Sequence, residues 1–240
     1  MKARFKDYIL FEDEHFLVIN KPSGLSTLSD RKQPDSVLDW SRHYWPHCQV
    51  CHRLDKETSG ALVLAKDPSA YRHLSLQFQN RTVHKEYHAV VEGRHNFQDR
   101  KVELDLAMGR RGMVRVASPG KPSQTVFNTL DIYKAHSLIS CTPITGRTHQ
   151  IRVHLSHLGA PIVGDENYGG RPFYLSQIKH RYNLKKYTEE RPLMSRLALH
   201  AINFRFQLLN GDYQQIEAAY PKDFRVLILQ LDKNRLAASI

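Results

Sequence analysis

The sequence predicts an α+β fold, with a mixed, mainly antiparallel central β-sheet flanked by helices and loops. Three observations lead there. Short β-prone runs dominate the chain, the helical stripes are scattered among them, and no β-α-β period is present. The 240 residues show no internal repeat, low-complexity tract or clean linker, so residues 1–240 are expected to form one domain.

The elements follow in order. Tyr8 to Phe11 and Phe16 to Asn20 are β-prone, and the polar Glu12-Asp13-Glu14 between them predicts a hairpin. Lys21-Pro22-Ser23-Gly24 breaks the second strand. Ser36 is placed to cap a helix whose apolar positions are Val37, Trp40 and Tyr44, and Pro46 closes it. The apolar run Ala61 to Ala65 predicts a buried strand. Asp67-Pro68 opens a helix with a capping side chain and a proline at the first helical position, and Tyr71, Leu74 and Phe78 form its stripe. Lys85 to Val91 is a strand. Val102 to Leu106, Met113 to Ala117, Gln124 to Tyr133 and Ser137 to Thr142 are four more, with a strong turn at Ser118-Pro119-Gly120-Lys121-Pro122. A helix is predicted from about Thr148 to Leu158. It carries Ile151, Leu155 and Leu158 on one face, His149, Arg152 and Ser156 nearly opposite, and Gly159 as its stop. Gln177 to Lys186 is expected as a basic surface helix, Leu197 to Phe206 as a strand, and Asp223 as the cap of a last helix through about Leu231.

Charge narrows the function. Lys and Arg total 35 against 24 acidic residues, a formal net charge of +11. Such a surplus implies a polyanionic partner, and RNA, DNA and acidic lipid all qualify. The opening residues hold no signal peptide, and no stretch approaches the roughly 20 apolar residues of a membrane span, so the chain is expected in the cytoplasm with no membrane partner. Three cysteines argue against a disulfide framework. Cys48-Gln49-Val50-Cys51-His52 imitates a haem-attachment or zinc motif. Haem attachment of that kind needs export, and a structural zinc site needs more ligands than the lone Cys141 supplies. Neither metal nor cofactor is expected.

Two polar windows stand out. His52-Arg53-Leu54-Asp55-Lys56-Glu57-Thr58-Ser59-Gly60 runs into the buried strand, which places Asp55 on a loop anchored in the core. Thr145-Gly146-Arg147-Thr148-His149-Gln150-Ile151-Arg152 ends in an arginine able to pair with a carboxylate. Spacing alone is better served by a plain turn at Asp55 and a surface arginine at Arg152. Gly109-Arg110-Arg111-Gly112 is a basic loop suited either to phosphate or to a solvated hairpin tip.

Together the windows resemble the RluA family of RNA pseudouridine synthases. His52 to Asp55 with Thr58-Ser59-Gly60 matches the family's H-R-L-D-x-x-T-S-G, and Asn20 to Leu25 matches N-K-P-x-G-L. Lys85-Glu86-Tyr87 matches K-x-Y, and Thr145 to Leu155 matches T-G-R-x-H-Q-I-R-x-H-L. Gly164-Asp165 with Tyr168-Gly169 continues that motif, and Leu197 to Ala201 matches L-x-L-H-A. The matches run in the family's order from about residue 9 to 221. Two departures are visible. Ser26-Thr27-Leu28-Ser29-Asp30 stands where the family often has an apolar segment ending in H-P, and the chain starts almost directly with the motifs, like short members without an S4 RNA-binding domain.

The resemblance implies the pseudouridine synthase catalytic fold and conversion of uridine in tRNA or ribosomal RNA to pseudouridine, without a cofactor. It assigns Asp55 as the essential carboxylate, Tyr87 as the residue stacking on the flipped uracil, and Arg152 as the counter-ion that keeps Asp55 charged. Arg53 is implied as the side chain filling the vacated stack, and His52, Thr58, Lys85, Arg147, His149, Arg110 and Arg111 are expected along the RNA. A monomer is expected. Two alternatives belong to other classes. An N-glycosidic-bond hydrolase would show two cooperating carboxylates, where the motifs supply one. A non-catalytic RNA-binding protein would lack Asp55, Tyr87 or Arg152, and all three are present. A metalloprotein built on His149, His154 and His157 is disfavoured, because their spacing is not the i, i+4 pair of a zinc helix.

Overall fold

The computed structural model describes residues 5–29, 35–109, 112–179, 182–184 and 188–235. In chain order the elements are β1 Ile9–Glu12, β2 Phe16–Lys21, α1 Val37–Tyr44, β3 Gln49–Val50, β4 Ser59–Ala65, α2 Pro68–Gln79, β5 His84–Glu92, β6 Arg100–Met108, β7 Val114–Val116, β8 Lys121–Ile132, β9 His136–Pro143, α3 Gln150–His157, β10 Leu199–Gln207, β11 Tyr213–Glu217 and α4 Lys222–Lys233. They fall into two compact units, Met1–Tyr87 with His200–Tyr220, and His88–Leu199 with Pro221–Ile240.

The first unit is built around β4, whose seven residues are all buried. β2 and β3 pair with it antiparallel, and β10 pairs with it parallel at Ser59 and Gly60. Side chains alternate across a strand, so β4 feeds two cores. Ala61, Val63 and Ala65 pack with Ala70 and Leu74 of α2, while Leu62 and Leu64 pack with Val37 of α1. Burial on both faces explains why the sequence reads as a continuous apolar run rather than an alternating one. Gly60 has φ +117°, and a Cβ there would collide with the Ala201 carbonyl oxygen, so glycine permits the close parallel contact. Both predicted helix starts stand. The Ser36 hydroxyl accepts from the Asp39 N–H, and the Asp67 carboxylate accepts from the N–H groups of Ser69 and Ala70.

In the second unit β6 pairs antiparallel with both β7 and β8, and β8 with β9. Val153 of α3 packs against Leu106 and Val114. The α+β class and mainly antiparallel sheet therefore hold, and β4–β10 is a parallel pair within it.

Three expectations are corrected. The helix predicted from Thr148 starts at Gln150, because His149 adopts a left-handed conformation at φ +54°. Asp223 does not cap the last helix. Pro221 occupies that position, and Asp223 lies in the first turn with the Arg196 guanidinium on both oxygens at 2.6 and 2.8 Å. Of the predicted Gln177 to Lys186 helix, Gln177 closes a short 3-10 turn, Leu175–Gln177, and 182–184 is irregular; residues 180, 181, 185 and 186 lie outside the described residues. The strands β3 and β11 were not anticipated.

Candidate active site

The Asp55 loop begins where a strand pairing ends. β3 pairs with β4 at Gln49–Ala65 and Val50–Leu64, and the next β4 donor is the Val63 N–H. That donor is taken by a side chain, the His52 Nε2, at 3.0 Å. The imidazole lies stacked on Phe204 at 5.0 Å and tilted on Phe78 at 4.9 Å. Burial pushes its pKa down to about 3, so the ring is neutral, with Nε2 as acceptor. His52 was expected along the RNA; its position is instead that of a framework residue that lets the chain leave the sheet.

Beyond His52, Arg53 is exposed, Leu54 is buried in the core on the α1 side, and Asp55 is half-buried. The Asp55 carbonyl accepts the Thr58 N–H at 3.1 Å, which closes the turn. Thr58 is buried, so the expectation that it meets RNA is corrected as well. Ser59 then anchors the strand by donating to His200 Nδ1 at 2.9 Å, while His200 Nε2 donates to the Ala218 carbonyl at 2.9 Å.

The Asn20 to Leu25 segment braces this loop from the other side. Lys21 is fully buried, and its ammonium donates to the carbonyls of Pro22, Leu25 and Lys56 at 2.9, 2.8 and 3.0 Å. The Gly24 N–H also donates to the Lys56 carbonyl, at 2.9 Å, and the Ser23 hydroxyl to the Glu57 carbonyl, at 2.8 Å. A buried ammonium is costly unless hydrogen-bonded, and these carbonyls supply the bonds. Tyr87 of β5 packs against the same core as Leu54, together with Ile19, Leu62 and Ala201. Two residues earlier, Lys85 holds its ammonium 5.7 Å from the Phe78 ring centre, and burial pushes its pKa down to about 8. The first unit thus carries Arg53, Asp55, Lys85 and Tyr87.

The second unit carries the other matched window. Thr145 and Gln150 lock it. The Thr145 hydroxyl donates to Gln150 Oε1 at 2.7 Å, and the Arg147 N–H donates to the same oxygen at 3.0 Å. Gln150 Nε2 donates to the Gln124 carbonyl and to Thr125 Oγ1, both at 2.9 Å. Arg147 is exposed, with Nε on the Pro122 carbonyl at 3.1 Å. The Tyr168 hydroxyl accepts the Val114 N–H at 2.9 Å, which leaves its proton for His149 Nδ1 at 2.8 Å.

Arg152 is 8 % exposed, although the helical wheel put it opposite the apolar stripe. Its Nε and Nη2 donate to the two oxygens of Asp165 at 2.7 and 2.8 Å, and its guanidinium lies 4.9 Å from the Tyr168 ring centre. The two-pronged fork fixes the guanidinium plane. Asp165 and Tyr168 were singled out only as motif continuation, and Lys21 and Gln150 only as motif letters. Their roles become visible once the chain is folded. Arg110 and Arg111 lie outside the described residues. Cys48, Cys51 and Cys141 are free thiols, and burial pushes Cys51 up to about 12.

Comparison with known proteins places this arrangement. The model of the RNA pseudouridylate synthase family matches residues 15–157, more than half of the chain. Ribosomal large subunit pseudouridine synthase C of Vibrio vulnificus is 38% identical over 208 residues, 85% of this chain and 62% of that protein. The same-named protein of Vibrio parahaemolyticus is 36% identical over 238 residues, 96% and 71% of the two chains. That of Escherichia coli is 36% identical over 242 residues, 97% and 72%. The chain thus spans 62% of the length of the first of these relatives and about seven tenths of the other two. Among solved structures, human RNA Pseudouridylate Synthase Domain Containing 4 shares the fold with a TM-score of 0.70 at 24% identity, covering 95% of this chain and 94% of its own. Human RNA Pseudouridylate Synthase Domain Containing 1 has a TM-score of 0.63 at 26% identity, covering 96% and 97%. With the ordered motifs, the family match and relatives at this identity, the chain belongs to the RNA pseudouridylate synthase family, in its RluA branch.

Proposed function

We propose that this chain isomerises specific uridines in RNA to pseudouridine, with Asp55 as the catalytic carboxylate. The N1–C1′ bond breaks, the uracil turns, and C5 bonds to the same C1′; C5 loses its proton and N1 gains one. No atoms are gained or lost overall, so the reaction needs no oxidant, reductant or energy source. The observation that carries the reading is the Asp55 loop, whose main chain is braced by Lys21, Gly24 and Ser23 and whose neighbour Leu54 shares a core with Tyr87. A reacting carboxylate gains from such preorganisation, because little need move during the reaction.

Tyr87 is assigned to stack on the flipped uracil and assist proton transfer at C5. Arg152, its plane set by Asp165, is the third member of the catalytic set that the resemblance assigns. Arg53 is exposed beside Asp55, which suits a side chain that fills the gap left by the flipped base. Lys85, Arg147 and His149 are assigned to the RNA backbone. The names of the bacterial relatives favour RNA of the large ribosomal subunit, with tRNA as the second target. Residues 1–240 are proposed to act as one catalytic domain, as a monomer, in the cytoplasm.

The test is pseudouridine mapping of ribosomal and transfer RNA with and without the gene, together with the Asp55→Asn variant. Sites that vanish without the gene and return with the parent, but not with Asp55→Asn, are expected, and RNA affinity stays within a few fold. Substantial pseudouridine formation by Asp55→Asn refutes the assignment of the carboxylate, and release of free uracil refutes isomerisation.

A further inference from the structure

The segment Ser26 to Asp30, where the chain departs from the family pattern, contains a polar contact that the assigned chemistry does not use. Thr27 is 3 % exposed. Its hydroxyl donates to the Leu54 carbonyl at 2.8 Å and accepts the Leu54 N–H at 3.1 Å. One side chain thus holds both main-chain groups of the residue preceding Asp55. A strand neighbour would do this with its own N–H and carbonyl, and here a hydroxyl does it for a loop that has left the sheet.

Thr27 is itself fixed. An α-helix leaves its first N–H groups without helical partners. In α1 the Val37 N–H donates to the Ser26 carbonyl at 2.9 Å and the Leu38 N–H to the Thr27 carbonyl at 3.2 Å. A continuous line of contacts therefore runs from the start of α1 through the Thr27 main chain and hydroxyl to Leu54. On the far side of Asp55, Lys56 is held through its carbonyl by Lys21 and Gly24. The carboxylate is bracketed by two clamped residues.

We propose that Thr27 is a positioning residue for Asp55: its hydroxyl sets the main chain at Leu54 and thereby the aim of the adjacent carboxylate. The proposal rests on the reading of Asp55 as the catalytic group. Misplacing a reacting group by about 1 Å can cost on the order of a hundredfold in rate. A hydroxyl lost from a packed site shifts the loop less, so a fall of at least about tenfold in the chemical step is expected.

Thr27→Val keeps the shape and removes the hydroxyl, and Thr27→Ser keeps the hydroxyl and removes a methyl. Two measurements are made on the full chain. The first is single-turnover pseudouridine formation at saturating enzyme, where binding defects vanish. The second is amide hydrogen exchange at Leu54, which is independent of activity. Thr27→Val is expected to slow turnover at least about tenfold with RNA affinity within about twofold, and to speed exchange at Leu54. Thr27→Ser is expected to return both towards the parent. A general loss of folding would make Thr27→Ser as poor as Thr27→Val and raise exchange throughout the unit; that result overturns the proposal. So does a Thr27→Val variant that turns over at the parent rate, or one whose Leu54 exchange is unchanged. A parent protein that forms no pseudouridine overturns the functional reading instead, and the Leu54 exchange still decides whether the clamp exists.

Discussion

Arg152→Met separates what the Arg152–Asp165 pair does for the fold from what Arg152 does for the reaction. Both side chains are buried, at 9 and 2 % side-chain exposure, and the two bonds measure 2.7 and 2.8 Å. Removing the arginine strands the Asp165 carboxylate away from water and takes the cation off the Tyr168 ring. Breaking a buried pair in this way costs about 3–5 kcal/mol, because one uncompensated charge remains. With a urea dependence of about 2 kcal/mol per molar, the unfolding midpoint falls by about 1.5–2.5 M. Arg152→Met with Asp165→Asn removes both charges and is expected to recover about half of the loss or more. Urea denaturation followed by circular dichroism measures both variants. A single variant within about 1 kcal/mol of the parent, or a double variant no better than the single, refutes the account of the pair. The double variant then tests catalysis on a folded protein. Its single-turnover rate is expected to stay at background, whereas Arg147→Met, which loses an exposed arginine, is expected to bind RNA less tightly and react at the parent rate.

Two further perturbations follow from the first unit. Gly60→Ala places a methyl group on the Ala201 carbonyl at a left-handed φ, so about 3 kcal/mol or more of stability is expected to be lost in urea denaturation; a loss below about 1 kcal/mol would show that the β4–β10 contact yields. Lys85 is charged at neutral pH and, with its pKa pushed down to about 8 by burial, is neutral well above it. If its ammonium meets RNA, affinity falls between about pH 7 and pH 9, and Lys85→Met removes that fall and reduces the slope of log affinity on log salt by about one. The stability sign is opposite. The unfolded lysine keeps its proton to about pH 10.4, so above about pH 8 the unfolded state binds more protons and folding stability rises with pH. Equal pH dependence in parent and Lys85→Met would remove Lys85 from the interface.

What the sequence made legible is what local rules decide. The β1–β2 hairpin, the Ser36 and Asp67 caps and the buried β4 run were readable because a turn, a cap or an apolar run is recorded in neighbouring residues. β3 has two residues, too few for any period, and β11 is a polar edge strand in which only Ile216 is buried. The burial of Arg152 was hidden because its partner is thirteen positions away, and a periodicity argument counts arginine as polar whatever it pairs with. The same holds for Lys21, whose carbonyl partner Lys56 is 35 residues distant. His149 was misread because nothing nearby announces a left-handed histidine. For the site, the motifs marked the positions and the family supplied roles, but only the fold separates residues that face solvent from residues that hold the frame. His52 and Thr58 fall in the second class.

The histidines carry that distinction into chemistry. Fourteen of them on a chain of net charge +11 suggest a protein whose grip on RNA strengthens as they protonate. Two of them, His52 and His154, are arranged otherwise. His52 spends Nε2 on the Val63 N–H. In the second unit the Ser123 hydroxyl gives its proton to the Leu104 carbonyl, so His154 Nε2 donates to Ser123 and its Nδ1 accepts from Thr125. Each ring is thus bonded as a neutral imidazole with one acceptor nitrogen, and burial pushes the two down to about 3 and about 4. Protonating His52 would set a second donor against the Val63 N–H, and protonating His154 would displace the proton that Thr125 now donates, so as pH falls from about 6.5 the unfolded state takes up these protons first and folding stability falls. Between about pH 5 and pH 7 both stay neutral. A gain in RNA affinity over that interval does not come from these two rings, and His52→Gln, which keeps an acceptor for Val63, is expected to leave the gain unchanged. A gain that disappears in His52→Gln would place the His52 ring at the RNA and overturn its assignment to the frame.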